Sequence, residues 1–193
     1  MSSGLLGQPF HTFAKVDGSN LRAQWNPKRG FYKFGTRTQL LSPEDAVFGP
    51  AVPLFSATLE QELDRIARSQ RWTDLVVFME FAGTHSFAGS HLPDDPKTLY
   101  VLDAAANKQG ILGPLRFLEL FGSLPHPAYL GRQAWDVAFA SAVSASSLPG
   151  MSFEGVVGKS GDRHQLRFVK AKSQAWIDAV HALYSPEQAR LLI

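Results

Sequence analysis

The stretch DLVVFMEFAG, residues 74–83, is a nearly continuous run of apolar side chains that contains one carboxylate, Glu80. Such a run is typical of a β-strand that is buried on both faces. A carboxylate in the interior costs free energy unless it has a partner, so Glu80 indicates either a salt bridge or a binding site. The segment therefore predicts a buried strand whose one carboxylate, Glu80, lies either in a salt bridge or in a binding site.

The composition is that of a globular protein. The 193 residues are 45% hydrophobic, and we expect residues 1–193 to form a single domain without a separate C-terminal domain. The absence of cysteine excludes a disulfide framework and cysteine-ligated zinc. The start, MSSGLLGQPF, has neither a basic region nor a sustained apolar segment, so we expect a cytoplasmic protein, or one of the host cytoplasm if it is viral.

The net charge of +2 is far below that of a protein that coats nucleic acid. One local excess of positive charge is visible, because Lys28, Arg29, Lys33 and Arg37 lie within ten residues. Two interpretations remain open for this basic track. It is either the solvated face of a hairpin or a phosphate-binding surface.

Periodicity and turn residues predict the secondary structure. A helix near residues 58–70 has the apolar stripe Leu59, Leu63, Ile66 and Ala67, and Thr58 with Gln61 resembles a capping box. The segment order lacks a regular strand–helix alternation and predicts an α+β fold with largely antiparallel sheets and flanking helices. The expected strands lie near 11–17, 20–25, 31–36, 74–82, 98–104, 152–158 and 165–172, and the other helices near 113–122, 131–146, 174–183 and 186–192.

The segment AKVDGSN, residues 14–20, has two interpretations. Asp17-Gly18 between short apolar-flanked runs is a strong signal for a tight hairpin turn, in which Lys15 would be a solvated surface residue. Alternatively, Lys15 is a nucleophile held in a pocket. The remaining charged residues must distinguish the two.

Three further charges fall within predicted strands: Glu154 in MSFEGVVGK, and Lys170 with Lys172 in LRFVKAKS. Alternation places Lys170 and Lys172 on one strand face, where both ammonium groups can reach one anion. By the same period Lys15 and Asp17 share a face, opposite Ala14 and Val16.

Any single pair of these charges is readily explained as a structural salt bridge. The whole set, taken with Arg37, instead suits a bound triphosphate with a divalent metal.

Five segments, in this order, resemble the motifs of the covalent nucleotidyltransferase superfamily, which comprises ATP-dependent DNA ligases, RNA ligases and messenger-RNA capping enzymes. Within it the sequence is most similar to the adenylyltransferase domain of type 2, phage-like RNA ligases, because Asn20 stands where DNA ligases usually have arginine and because EFAG, within the third segment, also fits the RNA-joining branch. The resemblance implies an ATP-grasp-like ligase domain with a central nucleotide cleft. The segments are KVDGSN (15–20), KFGTR (33–37), FMEFAG (78–83), FEGVVGK (153–159) and VKAK (169–172).

The resemblance also implies roles for individual residues. Lys15 would attack the α-phosphate of ATP, expel pyrophosphate and carry AMP through a phosphoramide bond, with Mg²⁺ or Mn²⁺ as the metal. Lys170 and Lys172 would hold the α-phosphate. The other nucleotide-binding positions are Asn20, Arg37 at the sugar and phosphate, Glu80 at the ribose hydroxyls, and Glu154 at the ribose or the metal.

The implied activity is that of an ATP-dependent RNA ligase, which transfers AMP to an RNA 5′-phosphate and seals it to a 3′-hydroxyl, as in RNA repair. Its substrates would be RNA ends aligned at a nick or in a duplex. Few residues follow Lys172, so the chain is either a minimal ligase or depends on a separate protein for end binding. The alternatives are a DNA ligase, a capping-type guanylyltransferase, or a nucleotide- or nucleic-acid-binding module without turnover.

Two sequence features fit the resemblance less well. Members of the family often stack an aromatic residue on adenine, but here TLYVLDA places Leu99 at that position, with Tyr100 pointing the other way. His85 and His91 bracket a Gly- and Ser-rich loop whose spacing matches no common zinc site. We expect a surface loop there, with a cover over the nucleotide as the alternative.

Overall fold

The computed structural model describes residues 5–42, 45, 48–84 and 94–193. Within these residues, eight strands form two antiparallel four-stranded sheets, sheet A with the order β6-β1-β7-β8 and sheet B with the order β3-β2-β4-β5. The strands are β1 (Pro9–Ala14), β2 (Ser19–Asn26), β3 (Gly30–Gly35), β4 (Leu75–Ala82), β5 (Thr98–Ala106), β6 (Tyr129–Ala134), β7 (Gly155–Ser160) and β8 (Arg167–Lys172). The helices are α1 (Ala51–Thr58), α2 (Glu60–Ser69), α3 (Pro114–Phe121), α4 (Val137–Ser144), α5 (Gln174–Leu183) and α6 (Pro186–Leu192).

Among the described residues, helices cover only one face of sheet B. Alternate residues of β2 and β4, such as Trp25 and Val77, are buried against apolar residues of α1 and α2, including Phe55 and Leu63. The intervening residues of β4 are only half-buried. The prediction that this strand is buried on both faces is therefore wrong, because an antiparallel sheet with helices on one side keeps its other face accessible to water.

Sheet A packs its back face against α4, where Phe10, Trp135 and Phe139 form the centre of a second apolar cluster. A third, smaller cluster joins α5 to α6 around Trp176 and Val180. Ser173 begins α5 by accepting a hydrogen bond from the backbone N–H of Trp176 at 3.0 Å, which satisfies a free donor of the first turn. The helices predicted at 174–183 and 186–192 agree with α5 and α6.

Two predicted helices differ from the structure. The helix expected from residue 58 begins at Glu60 and follows a separate helix, α1, and the hydroxyl of Thr58 donates to the Leu54 carbonyl oxygen, so the capping box is wrong. The helix expected over 131–146 is divided into β6 and α4. Gly131 lies there at a φ of +88°, a left-handed conformation that interrupts a helix and that glycine adopts without strain.

The link between β1 and β2 is not a hairpin. β1 pairs with β6 and β7 in sheet A, whereas β2 pairs with β3 and β4 in sheet B. Residues 15–18 therefore cross from one sheet to the other. The hairpin interpretation of Asp17-Gly18 is wrong, and Lys15 lies at the junction of the two sheets.

The predicted α+β class with antiparallel sheets is confirmed. None of the helices in the described part of the chain is long and apolar enough to cross a membrane.

Candidate nucleotide site

A cleft of about 560 Å³ lies between the front faces of the two sheets. We call the front face of sheet B the side that α1 and α2 leave uncovered, and the front face of sheet A the side that α4 leaves uncovered. The structure brings all seven predicted site residues to this cleft: Lys15, Asn20, Arg37, Glu80, Glu154, Lys170 and Lys172.

The backbone of Lys15 is held at both its polar groups. The Lys15 N–H donates to the Gly155 carbonyl oxygen at 2.9 Å, and the Ser152 hydroxyl donates to the Lys15 carbonyl oxygen at 2.5 Å. Although β1 ends at Ala14, these bonds extend the alignment with β7 by one residue. The side chain retains 19% of its accessible surface, so Lys15 is fixed in position but open to the cleft. The expected alternation fails beyond β1, because Val16 lines the cleft as well as Lys15 and Asp17.

Glu154 is a buried carboxylate between two lysines. Its Oε1 atom lies 2.7 Å from Lys15 Nζ and 3.5 Å from Lys172 Nζ, and its side chain is only 5% exposed. Its backbone carbonyl accepts the N–H of Ser173 at 3.0 Å, just before β7 begins. Glu154 therefore forms the salt bridges with lysine that a structural explanation requires, and all three residues of these pairs also line the cleft.

Lys172 has three neighbours for its ammonium group. Besides Glu154, its Nζ atom donates to the carbonyl oxygen of Leu192 at the end of α6 and lies 3.8 Å from the centre of the Trp176 ring. Burial lowers the pKa of Lys172, the Glu154 carboxylate opposes that change, and the nearby Lys15 ammonium adds to it. The last turn of α6 thus forms part of the cleft wall.

Lys170 and Arg37 lie on the exposed margins of the cleft. Lys170 pairs in register with Val157 of β7, and its alternation with Lys172 is as expected. Among the residues that the structure describes, neither Lys170 nor Arg37 forms a salt bridge. Both are therefore free to contact an anionic ligand.

Glu80 and Asn20 face each other across β4 and β2. Burial raises the pKa of the Glu80 carboxyl to about 7, the Lys15 ammonium opposes this rise, and the Glu154 carboxylate adds to it. Gly18 packs tightly against the same strand: a Cβ atom there would lie 2.6 Å from the Phe81 carbonyl oxygen and 3.0 Å from Glu80 Cγ. Only glycine lets the Lys15 loop approach β4 so closely.

Asp17 helps to fix the same loop. The carboxylate is buried, and the indole N–H of Trp176 donates to its Oδ2 atom at 3.5 Å. Because the same indole ring lies against the Lys172 ammonium, α5 connects the loop of the predicted nucleophile to the end of β8.

A second buried ion pair was missed by the sequence analysis. Lys159 Nζ lies 2.7 Å from both Asp103 Oδ1 and the Leu102 carbonyl oxygen, and it is surrounded by the rings of Phe13, Phe117 and Phe168. The pair joins β7 of sheet A to β5 of sheet B across the floor of the cleft. Burial raises the pKa of Asp103, and the ammonium opposes that rise. The signal was present, since Asp103 interrupts an apolar strand as Glu80 does.

The expected position of Leu99 is also wrong. Leu99 is 2% exposed in the core behind sheet B, whereas Leu102 lines the cleft. Leu102 lies on the opposite face of β5 from Leu99 by simple alternation. The pairing of β4 with β5 then shifts between Phe78 and Met79, and at this irregularity the next residue, Asp103, lines the cleft as well.

Other predicted residues lie elsewhere. Lys28 and Arg29 occupy the β2–β3 turn, so of the basic track only Arg37 lines the cleft. His85 and His91 lie outside the described residues. Within the described ranges, no three His, Cys, Asp or Glu side chains cluster as metal ligands.

The chain resembles solved structures of an RNA ligase from Naegleria gruberi. The matches include point variants with ATP and Mn and with AMP and Mn, and the enzyme with PPi; each has 16% sequence identity and a TM-score of 0.65. Each match covers 91% of this chain and 52% of the ligase, so the chain spans about half the length of the proteins it resembles. No protein family matches the sequence, and no curated protein does either.

At this identity the likeness shows the fold, which is that of an RNA ligase nucleotidyltransferase domain. The predicted fold is thereby confirmed. The narrower resemblance to the type 2 branch stays a prediction.

Proposed function

We propose that this protein is an ATP-dependent RNA ligase of the covalent nucleotidyltransferase type, with Lys15 as the residue that carries AMP. One observation supports the proposal above all others. Four separate parts of the chain bring Lys15, Glu80, Glu154 and Lys172 into one cleft. A structural salt bridge explains Lys15 and Glu154 as a pair, but it does not explain the cations at the cleft margin, Lys170 and Arg37, which form no salt bridge to any described residue.

The proposed first step is attack by Lys15 Nζ on the α-phosphorus of ATP. A P–N bond forms, the bond from the α-phosphorus to the bridging oxygen of pyrophosphate breaks, and pyrophosphate leaves. The amine attacks only after it loses a proton, and the carboxylate of Glu154 at 2.7 Å is positioned to accept it. The result is a lysyl-AMP phosphoramide.

The cations around the cleft stabilise the charge that develops on the phosphate. Lys172 and Lys170 extend from alternate positions of β8 toward the end of the cleft that holds Lys15. Arg37 approaches from the margin of sheet B. Such charge stabilisation by fixed groups supplies much of the rate in phosphoryl and nucleotidyl transfer.

Glu80 and Asn20 are suited to the sugar. Both lie on the front face of sheet B at the cleft. A carboxyl group with a pKa of about 7 can accept hydrogen bonds from ribose hydroxyls when ionised and can donate one when protonated. We assign the ribose to this pair.

The donor set fits Mg²⁺ or Mn²⁺ held jointly by protein and nucleotide. The carboxylate oxygens of Glu80 and Glu154 line the cleft, and these metals prefer oxygen ligands. Because Glu154 is already balanced by two lysines, ATP phosphates would provide most of the ligands, with Glu154 as a candidate protein ligand. When bound, the metal supplies positive charge that offsets the negative charge on the phosphates.

The later steps would transfer AMP to an RNA 5′-phosphate and join it to a 3′-hydroxyl. Both require two RNA ends at reaction distance, where positioning supplies much of the rate. We therefore propose RNA ends aligned at a nick or in a duplex as substrates, with RNA repair as the process. A separate protein would supply further end binding if the chain alone joins ends poorly.

Intact mass after incubation with ATP and Mg²⁺ or Mn²⁺ tests the proposal. We expect an increase by one AMP, located at Lys15 by peptide mapping and absent in Lys15→Arg, because guanidinium stays protonated. Lys108→Arg, outside the cleft, is the matched control and should retain the adduct.

Several outcomes would contradict the proposal. An adduct on another lysine, or none across pH and metal, would remove the covalent mechanism and favour a binding module. An adduct formed from GTP but not ATP would indicate a guanylyltransferase. Sealing of DNA ends in preference to RNA ends would indicate a DNA ligase.

A further inference from the structure

The front face of sheet B continues well beyond the nucleotide cleft. In β2, Arg22, Gln24 and Asn26 follow Asn20 at alternate positions, and all are half-buried rather than packed in the core. In β4, Phe78 and Val76 follow Glu80 on the same face, in register with Arg22 and Gln24 respectively. The helices that cover sheet B lie on its other side. On the front face, sheet A meets β5 at the Lys159–Asp103 pair, whereas these residues of β2 and β4 are half-buried.

The edge of this face is basic. Lys33 of β3 lies in register with Gln24, and Arg22 lies in register with Gly35, where an added Cβ atom would lie 3.4 Å from Arg22 Nε. Lys28 and Arg29 are at the far end of the strand, in the β2–β3 turn, and Arg37 is at the near end, in the cleft.

None of these five cations forms a salt bridge to any residue that the structure describes. The contrast with the helical side of the sheet is clear. There, Arg65 and Arg68 of α2 are paired with Glu62 and Asp64 at 2.5 and 2.7 Å. Positive charge is thus neutralised within α2 on one side and left unneutralised on the front face, where a polyanion would complement it.

We propose that the front face of sheet B binds one RNA strand and leads its end into the cleft. The phosphates follow the basic edge from Lys28 and Arg29 through Lys33 to Arg37. The bases or sugars lie over β2 and β4, against Arg22 and Phe78. This inference rests on the proposed function, since it names the path by which the substrate reaches Lys15.

The dimensions suit such a strand. The six residues of β3 span about 20 Å at 3.3 Å per residue, which corresponds to about six stacked nucleotides at 3.4 Å each. The row of Arg22 and Phe78 is one alternation step from the row of Asn20 and Glu80. A strand on this face therefore ends beside the groups assigned to the nucleotide.

Phe78 gives the surface more than charge. Its ring is only half-buried, whereas most other side chains of this face near the cleft are polar. Phe78 also pairs in register with Arg22 of β2. An aromatic ring beside a guanidinium is the combination on which unpaired bases stack, with little dependence on sequence. We therefore expect single-stranded RNA to use Phe78 more than a continuous duplex does.

Fluorescence anisotropy with a labelled, 5′-phosphorylated single-stranded RNA of about ten nucleotides, across a salt series, tests the inference. Lys33→Ala and Arg22→Ala should each weaken binding about three- to tenfold at low salt and reduce the magnitude of the salt slope by about 0.7. Arg65→Ala is the matched control, because it removes the same charge from the other side of the sheet, and it should bind like the wild type.

Phe78→Leu keeps an apolar side chain and tests stacking separately. It should weaken single-strand binding about five- to tenfold, leave the salt slope unchanged and leave the affinity for a blunt duplex unaltered. Equal loss for both nucleic acids would overturn the role of stacking.

Wild-type affinity in Lys33→Ala and Arg22→Ala, or equal weakening in Arg65→Ala, would overturn the proposed path. Adduct formation with ATP should persist in all these variants. RNA affinity thus reports on this inference and adduct formation on the proposed function, so that each can fail alone.

Discussion

The carboxylate of Glu154 lies 2.7 Å from the Nζ atom of Lys15. This pair joins two interpretations that the sequence left as alternatives, a structural salt bridge and a reactive centre. A buried carboxylate keeps the ammonium in place, and the same carboxylate is the nearest group that can receive its proton. The geometry thus gives Glu154 a structural role as well as its proposed chemical one.

Lys170→Ala should abolish adduct formation and leave stability within about 0.5 kcal/mol of the wild type, because Lys170 is exposed and unpaired among the described residues. Urea unfolding and intact mass measure the two effects. Arg167→Ala, on the same strand and also exposed, is the control and should retain the adduct. Full adduct formation in Lys170→Ala would remove this lysine from the proposed phosphate site.

Glu154→Ala should lose adduct formation while the protein still folds, with a free energy of unfolding lower by about 1–3 kcal/mol. The loss of stability follows because two partly buried ammonium groups lose their partner. Melting curves beside adduct assays separate the effects. If the folded fraction of the variant is as active as the wild type, Glu154 is only a salt-bridge partner.

The raised pKa of Glu80 predicts a pH dependence of stability. Because the carboxyl titrates at about 7 when folded and near 4.5 otherwise, the folded state holds the proton more tightly. The contribution of Glu80 to the free energy of unfolding is therefore largest below pH 4.5 and falls as the pH rises toward 7. The loss is on the order of 3.5 kcal/mol, since each pKa unit corresponds to about 1.4 kcal/mol.

The measurement is urea unfolding of the wild type and Glu80→Gln from pH 4.5 to 8. The variant stays neutral, so the stability difference between the two proteins should change over this range in favour of Glu80→Gln at high pH. A difference independent of pH would show that the carboxyl of Glu80 titrates normally.

Breaking the Lys159–Asp103 pair should destabilise the protein by about 3–5 kcal/mol, because either single variant leaves one buried charge without its partner. Lys159→Met and Asp103→Leu should each show this loss in urea unfolding. The double variant should recover much of it, since it leaves no buried charge. Additive losses in the double-mutant cycle would mean that the two residues act independently.

Gly18→Ala should lower stability by about 1–3 kcal/mol and slow adduct formation. The added methyl group would meet the backbone carbonyl of Phe81 at 2.6 Å, so the Lys15 loop must move away from β4. Ser19→Ala, at the first residue of β2, is the control for a small change next to Gly18. Wild-type stability in Gly18→Ala would show that the loop relaxes without strain.

The sequence singled out the charged residues that line the cleft more accurately than it predicted the ends of helices and strands. Glu80, Glu154, Lys170 and Lys172 stood out because a charge within an apolar strand requires a partner or a ligand. The order of the five motif segments then predicted that these residues, which are far apart in the chain, belong to one nucleotide site. Local signals failed at residue 131, where the apolar pattern predicted a helix but a left-handed glycine lies within the strand β6. They also failed at Asp17-Gly18, where a turn signal marks a crossing between the two sheets.

By itself, the sequence determined most of the strands, the α+β class and the charged residues that need an explanation, because alternation and burial costs act over a few neighbouring residues. Only the tertiary structure decided which charges meet. The salt bridge of Lys159 to Asp103 joins positions 56 residues apart, and the presence of both Leu102 and Asp103 at the cleft depends on a register shift between two strands. Such contacts arise from the pairing of distant segments, and no local pattern specifies the register in which those segments pair.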